Sequence, residues 1–203
     1  MGGFTRGFSG RSQALRDPRL PPGQYDAGDD WPVLSVELTP SIEPSSWTFR
    51  AEGALERPTT WTWDELHGME QSSFSGDVHC VTTWSKLGVS FGGVSVELLL
   101  ESAGLLAGAS HVLAFSHTGY SANLPLEDVR HGRALVAFEL GGRPLAADHG
   151  GPARLLVPHL YLWKSVKWVA GLRVLDHDEA GFWERSGYHD RGDPWQEQRY
   201  QGD

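Results

Sequence analysis

Apolar and polar residues alternate from Trp47 to Gly53 and again from Pro58 to Trp63, the period-two mark of half-buried strands, with a turn between them around Gly53 to Arg57. Thr62 followed three residues on by Glu65 has capping-box spacing, so a short helix is predicted to start there and to end near Gly68. Phe74 to Val81 reads as a strand carrying Cys80 at its end, and Val96 to Ala103 as a helix stopped by Gly104. Further strands are predicted at His111–Ser116, Ala134–Leu140, Ala153–Val157 and Val166–Leu175, with a short helix at Leu126–Val129. Strands outnumber helices and do not alternate with them strictly, so the expected class is α+β, mixed sheets with short helices.

The flanks read differently. Pro18, Pro21, Pro22, Pro32, Pro40 and Pro44 hold the early chain extended, so residues 1–46 are expected to form an arm packing on a body of residues 47–203, one domain overall. From Gly181 onward the pattern is that of a loop, yet Phe182, Trp183, Tyr188, Trp195 and Tyr200 are too many rings for a free end, and the tail is expected to pack back onto the body.

Composition narrows the function classes. In 203 residues, 39% hydrophobic and 21% charged, the balance is globular. A net charge of −9 repels phosphate backbones, so nucleic-acid binding is disfavoured. Apolar runs such as Val94 to Leu100 are far shorter than the roughly 20 residues of a membrane helix, and the N-terminal stretch has no apolar core of a secretory signal, so a cytoplasmic protein off the membrane is expected. The single cysteine, Cys80, excludes an internal disulfide, a cysteine-pair zinc site and a protein-bound iron–sulfur cluster.

Two clusters carry candidate chemistry. A lone cysteine is more often a small buried hydrophobe than a reactive thiol, but Cys80 sits in DVHCVTTWSK among His79, Thr82, Thr83, Ser85 and Lys86, surroundings that favour a thiolate. A cysteine protease would need a histidine base, and His79, His111, His117, His149, His159 and His189 leave that choice open. The second cluster, HGGPARLLVPHLYLWKSVKWV, places Arg154, Lys164, Ser165 and Lys167 among apolar residues, with Gly150 and Gly151 offering backbone amides, a set suited to an anion such as phosphate. An isolated basic pair bordering a strand is the plainer account of Lys164 and Lys167.

DVHCVTTWSK, HGGPARLLVPHLYLWKSVKWV and GFWERSGYHDRGDPWQEQRY, with LPPGQY before them and NLPLEDV between, resemble in order and spacing the sulfite oxidase family of molybdopterin enzymes, in its short bacterial branch. The resemblance spans nearly the whole chain. It implies the family's catalytic-domain fold, a molybdenum–molybdopterin cofactor, and Cys80 as the thiolate ligand of molybdenum and the catalytic residue. It further implies that His149 and Arg154 contact the pterin, that Ser165 and Lys167 contact its phosphate, and that His117 in AFSHTGY touches the pterin as well. One protein thiolate suffices, because a soft high-valent metal already held by two pterin sulfurs needs one more soft ligand.

The resemblance implies two-electron oxygen-atom transfer on a small-molecule substrate. Sulfite oxidases carry arginines after the cysteine and near the start of the domain. Here Thr83, Trp84, Ser85 and Lys86 follow Cys80, and PVLSVELTP holds no arginine, so a sulfite-type anion site is in doubt. Trp84, Tyr120 and Lys86 are the substrate candidates, the two rings forming an apolar wall for a neutral S-oxide or N-oxide. Animal members add haem and dimerisation domains for which this length leaves no room, so a monomer served by a separate electron-transfer partner is expected. The alternatives are a non-catalytic molybdopterin carrier with the same fold and, remotely, a zinc hydrolase on His111, His117, His149 and His159, which lack any close ligand spacing.

Overall fold

Residues 17–203 are described in this computed structural model, and residues 1–16 of the expected arm lie outside the described residues. In chain order the elements are β1 (Tyr25–Asp26), β2 (Thr48–Gly53), β3 (Thr59–Thr62), α1 (Trp63–His67), β4 (Ser72–His79), β5 (Trp84–Ser95), α2 (Val96–Ala103), β6 (His111–Ser116), β7 (Ser121–Pro125), β8 (Leu135–Leu140), β9 (Arg143–Pro144), β10 (Arg154–Leu156) and β11 (Val169–Leu175). Mixed sheets with two short helices make the class α+β, as expected.

One sheet runs β3-β2-β11-β6-β7, with β2 and β11 parallel and the other pairs antiparallel. The other is built on β5. Along its length β5 pairs with β4, while its first two residues take β1 in parallel and its last five take β8. β10 and the short β9 then pair with β8. Alternation along β8 divides the core: Val136 and Phe138 join the large cluster of Trp47, Phe49, Leu99, Leu155 and Leu172, whereas Leu135 and Ala137 join a smaller one with Val78, Phe91 and Leu156. A sheet buried on both faces shows no polar alternation.

That burial explains part of where the sequence pattern falls short. β5 was not expected as a strand, since Gly88, Gly92 and Gly93 interrupt its apolar pattern and its register shifts between Gly92 and Gly93. β7 was missed because a polar residue, Asn123, is buried in it. The predicted Leu126–Val129 helix is one 3-10 turn, Leu126–Asp128. The predicted Val166–Leu175 strand starts only at Val169, because Trp168 takes φ 50 and turns the chain there. Elsewhere local chemistry decides. The Thr62 hydroxyl accepts from Glu65 N at 3.4 Å and the Glu65 carboxylate accepts from Thr62 N at 2.7 Å, the reciprocal cap that starts α1. Gly104 stops α2 at φ 73, where a Cβ would lie 2.6 Å from the Glu56 carboxylate.

Both flanks lie on the body. The arm is tied by β1, by Trp31 against Phe91 (6.1 Å between centroids) and by Lys167 donating to Leu34 O at 3.0 Å. The tail is held by a fully buried ion pair, Lys164 Nζ to Glu184 Oε1 at 2.7 Å. Lys164 also donates to Asn123 Oδ1 (2.7 Å) and to Asp190 O, and Trp163 Nε1 donates to Glu184 Oε1 at 2.9 Å. No described helix is long and apolar enough to cross a membrane.

Breaking that pair leaves a buried charge unpaired. Lys164→Met is expected to lower stability by about 3–5 kcal/mol in urea unfolding, and adding Glu184→Leu should recover much of the loss.

Candidate cofactor site around Cys80

Cys80 follows the last residue of β4, where the chain turns into β5. Cys80 N donates to Trp84 O at 2.8 Å and Thr83 N to Cys80 O at 3.1 Å, closing a tight turn in which Thr83 takes φ 75. The arm fastens this turn from outside. Gln24 Nε2 donates to Cys80 O at 3.0 Å, and Ser85 Oγ bridges Gln24 Oε1 (3.3 Å) and His79 Nδ1 (2.8 Å). Neighbouring residues at a strand end point oppositely, so His79 lies in this polar knot while Cys80 faces a cavity.

The cavity, about 320 Å³, borders both core clusters, sharing Trp31 and Leu162 with the smaller and Tyr120 and Trp183 with the larger. Its walls include Cys80, Trp84, Arg154, Ser165 and Lys167, drawn from the two sequence clusters and brought together by β5, β8 and β10, and Tyr120, from between β6 and β7 of the other sheet. Cys80 is only 7% exposed. Burial pushes its thiol above the usual 9.0, opposed by hydrogen bonding from Thr82, whose Oγ1 is 3.2 Å from Sγ, and by the charge of Lys167.

Arg154 is 3% exposed, and its guanidinium donates to His149 O (3.0 Å), Ser165 O (2.8 Å) and Leu155 O (3.4 Å). Lys167 Nζ donates to Leu34 O (3.0 Å) and Asp148 O (2.7 Å). Both cations are thus met by backbone carbonyls, with no carboxylate paired to either among the described residues. Burial lowers Arg154 to about 10, and burial with the repulsion of Arg154 lowers Lys167 to about 8. Ser165 Oγ accepts from Val157 N at 2.9 Å, which leaves the hydroxyl hydrogen free to donate. The Trp84 indole N–H is buried without an acceptor. A soft thiol, two under-neutralised cations, a free hydroxyl hydrogen and an orphan N–H form a donor set that fits an anionic, acceptor-rich group with a soft metal.

The remaining expected residues are placed as follows. His149 does not line the cavity. Its ring packs on Trp31 at 4.9 Å, and burial with nearby Lys167 and Arg154 holds its pKa below 6.5. His117 is exposed after β6, beside Thr48 and Arg50, and does not line it either. The Lys86 amine donates instead to Gly28 O of the arm. Gly150 and Gly151 offer no amides to an anion, since these donate to Ala147 O and Ala146 O. They permit close packing: a Cβ on Gly150 would meet Lys167 Cα at 3.0 Å and one on Gly151 would meet Leu145 O at 2.0 Å. Lys164 belongs to the buried ion pair and not to the cationic recess. No histidine lines the cavity, and no group of three His, Cys, Asp or Glu able to hold a metal occurs among the described residues, which leaves the protease and zinc alternatives without a site there.

Sequence reasoning missed the walls from the ends of the chain: Trp31 and Leu34–Glu37 from the arm, and Trp183 and Tyr188 from the tail. Only the tail's density of rings gave a signal.

Comparison with known proteins agrees with this chemistry. Residues 36–183 match the family described as oxidoreductase molybdopterin binding domain. The chain is 36% identical over 197 residues to the uncharacterized oxidoreductase YuiH of Bacillus subtilis, covering 97% of this chain and 99% of that one. It is 25% identical over 166 residues to the protein-methionine-sulfoxide reductase catalytic subunit MsrP of Gluconobacter oxydans, 71% of this chain and 52% of that one, so it spans about half the length of that relative. Human mitochondrial sulfite oxidase matches 73 residues at 36%, covering 35% of this chain and 13% of the relative. In fold it is similar to the sulfane dehydrogenase SoxCD of Paracoccus pantotrophus, with TM-score 0.64 and 21% identity over 69% of this chain and 41% of that one.

Lys167 gives a pH test. Its pKa of about 8 in the fold lies below the ordinary 10.5, so the unfolded chain binds more protons between these values and stability rises with pH across that window. Cys80, raised above 9.0, removes stability at the alkaline end, so the gain is read between about pH 8 and 9. Cofactor-free protein should show it in urea unfolding, and Lys167→Met should not.

Proposed function

Because the chain belongs to the molybdopterin-binding oxidoreductases of the sulfite oxidase family, enzymes with a molybdenum–molybdopterin cofactor, we propose that it reduces a small S-oxide or N-oxide by oxygen-atom transfer at this cavity. When bound, that cofactor supplies two-electron oxygen-atom transfer. The reading rests on the cavity that Cys80 shares with Arg154, Ser165 and Lys167.

In this reading the Cys80 sulfur is the protein's ligand to molybdenum, set by a turn pinned through both its amide and its carbonyl. Thr82 and Lys167 favour the thiolate against burial. Arg154 and Lys167 bind the cofactor's anionic groups, and Ser165 donates its free hydroxyl hydrogen to the phosphate. His149 acts from behind, its carbonyl orienting Arg154, and we keep His117 and Lys86 at the margin. Trp84 and Tyr120 give the substrate an apolar wall, with Tyr120 fixed by its hydroxyl donating to Trp163 O at 2.6 Å.

An S-oxide is favoured over sulfite because the lining residues near Cys80 are Val81, Thr82 and Trp84, with no arginine among them, and because a similar protein is named a protein-methionine-sulfoxide reductase. In the net change the S–O bond breaks, two electrons arrive from a separate carrier protein, and two protons leave with the oxygen as water. We place the enzyme in the cytoplasm as a monomer, arm 1–46 and body 47–203 acting as one domain, since residues 31–37 of the arm wall the cavity. A non-catalytic carrier would have no use for a cysteine facing the cavity beside a lysine that favours its thiolate.

Protein made in a cofactor-competent host should hold about one molybdenum per chain and reduce methionine sulfoxide with a viologen dye as donor. Cys80→Ala should fall below about one hundredth of that rate with an unchanged far-UV spectrum. Zinc in place of molybdenum would overturn the proposal. Lys167→Glu sets an anion where a phosphate is to sit, and the purified variant should be empty of pterin.

A further inference from the structure

Glu37 is the one acidic residue among those lining the cavity, and it comes from the arm segment PVLSVELTP, which holds no arginine. Its Oε1 accepts from Tyr120 N at 3.0 Å and Ser116 Oγ at 3.5 Å, so the carboxylate is held at the wall by one oxygen, and neither bond uses Oε2. Tyr120, Trp163, Trp183 and Tyr188 line the same cavity. The backbone of Tyr120 is the direct partner of Glu37, and the Tyr120 ring packs against Phe182 at 5.7 Å. From the tail, Trp183 and Tyr188 meet at 4.7 Å, and Tyr188 packs edge-on to Trp163 at 5.4 Å.

Aromatic faces with a carboxylate are the chemistry of cation recognition, whereas an oxyanion meets there a like charge and the negative faces of the rings. Arg154 and Lys167 do not offset this for a substrate if they are taken up by the cofactor's own anions, as the oxygen-transfer reading requires.

We infer that Glu37 sets the charge of the substrate: the cavity takes S-oxides or N-oxides that carry an ammonium group and turns away oxyanions such as sulfite. The inference rests on the oxygen-transfer reading for the reaction, but on Glu37 and the rings for the selection. Glu37 also ties the arm to the turn before β7. Glu37→Gln separates the two roles, because an amide oxygen can still accept from Tyr120 N and Ser116 Oγ while the charge is gone.

The test uses cofactor-loaded protein and three sulfones of one skeleton as unreduced analogues: methionine sulfone amide (cationic), N-acetylmethionine sulfone amide (neutral) and N-acetylmethionine sulfone (anionic). Binding is read from quenching of the cavity tryptophans, and the matching sulfoxides are assayed for turnover. The wild type should bind the cation at least tenfold more tightly than the anion. Glu37→Gln should weaken the cation about tenfold, leave the neutral analogue unchanged, and let sulfite compete. Equal affinities in the wild type, or an unchanged preference in Glu37→Gln, would overturn the inference. Charge-selective binding without turnover of any sulfoxide would leave the selection standing and sink the reaction proposed above.

Discussion

Arg154 and Lys167 sit in one cavity with backbone carbonyls as their hydrogen-bond partners among the described residues. The price of burial, and for Lys167 of repulsion by Arg154, is visible in the two side chains, lowered to about 10 and about 8. A folded chain holds two cations so only where the surroundings leave no room to rearrange. Here β10 opens with Arg154, between the buried Ala153 and Leu155, and the turn at Trp168 directs Lys167 back toward it. The glycine pair 150–151 allows the preceding loop to close onto both. In the proposed reading an anionic cofactor would offset the charge held there, linking its binding to the stability of the fold.

Around that recess the molecule assembles one site from distant stretches. The thiol comes from the end of β4, the cations from β10 and the loop after it, one wall from the arm and another from the tail. Each contribution is fastened separately. Gln24 holds the Cys80 carbonyl, Lys167 the Leu34 carbonyl, Glu37 the amide of Tyr120, and the Lys164–Glu184 pair the tail. The buried ion pair therefore serves the site indirectly, keeping Trp163, Trp183 and Tyr188 in register as a wall.

The charge pattern inside the cavity is uneven in a way the net charge of −9 conceals. Arg154 and Lys167 bring the cations, while the arm and tail bring rings and a single carboxylate. A cavity of this kind separates what it keeps permanently from what it turns over, the first by charge and the second by shape and weaker contacts.

Much of this was written in the chain. The capping box at Thr62, the glycine stop at Gly104, the alternation of Trp47–Gly53 and the two motifs around Cys80 and Arg154–Lys167 specify local structure and donor chemistry from a few neighbouring residues, and local spacing is enough to read them. β7 escaped because burial on both faces removes the polar alternation that marks a strand, and β5 because its glycines break the apolar pattern. Which polar residues face the cavity was beyond the sequence as well. Lys164 and Lys167, three positions apart, point to different partners, and His149 stands beside the lining while Glu37, far away in the chain, belongs to it. Those outcomes depend on burial and on contacts between distant segments, such as Lys167 with Leu34 across 133 positions, which no local pattern encodes.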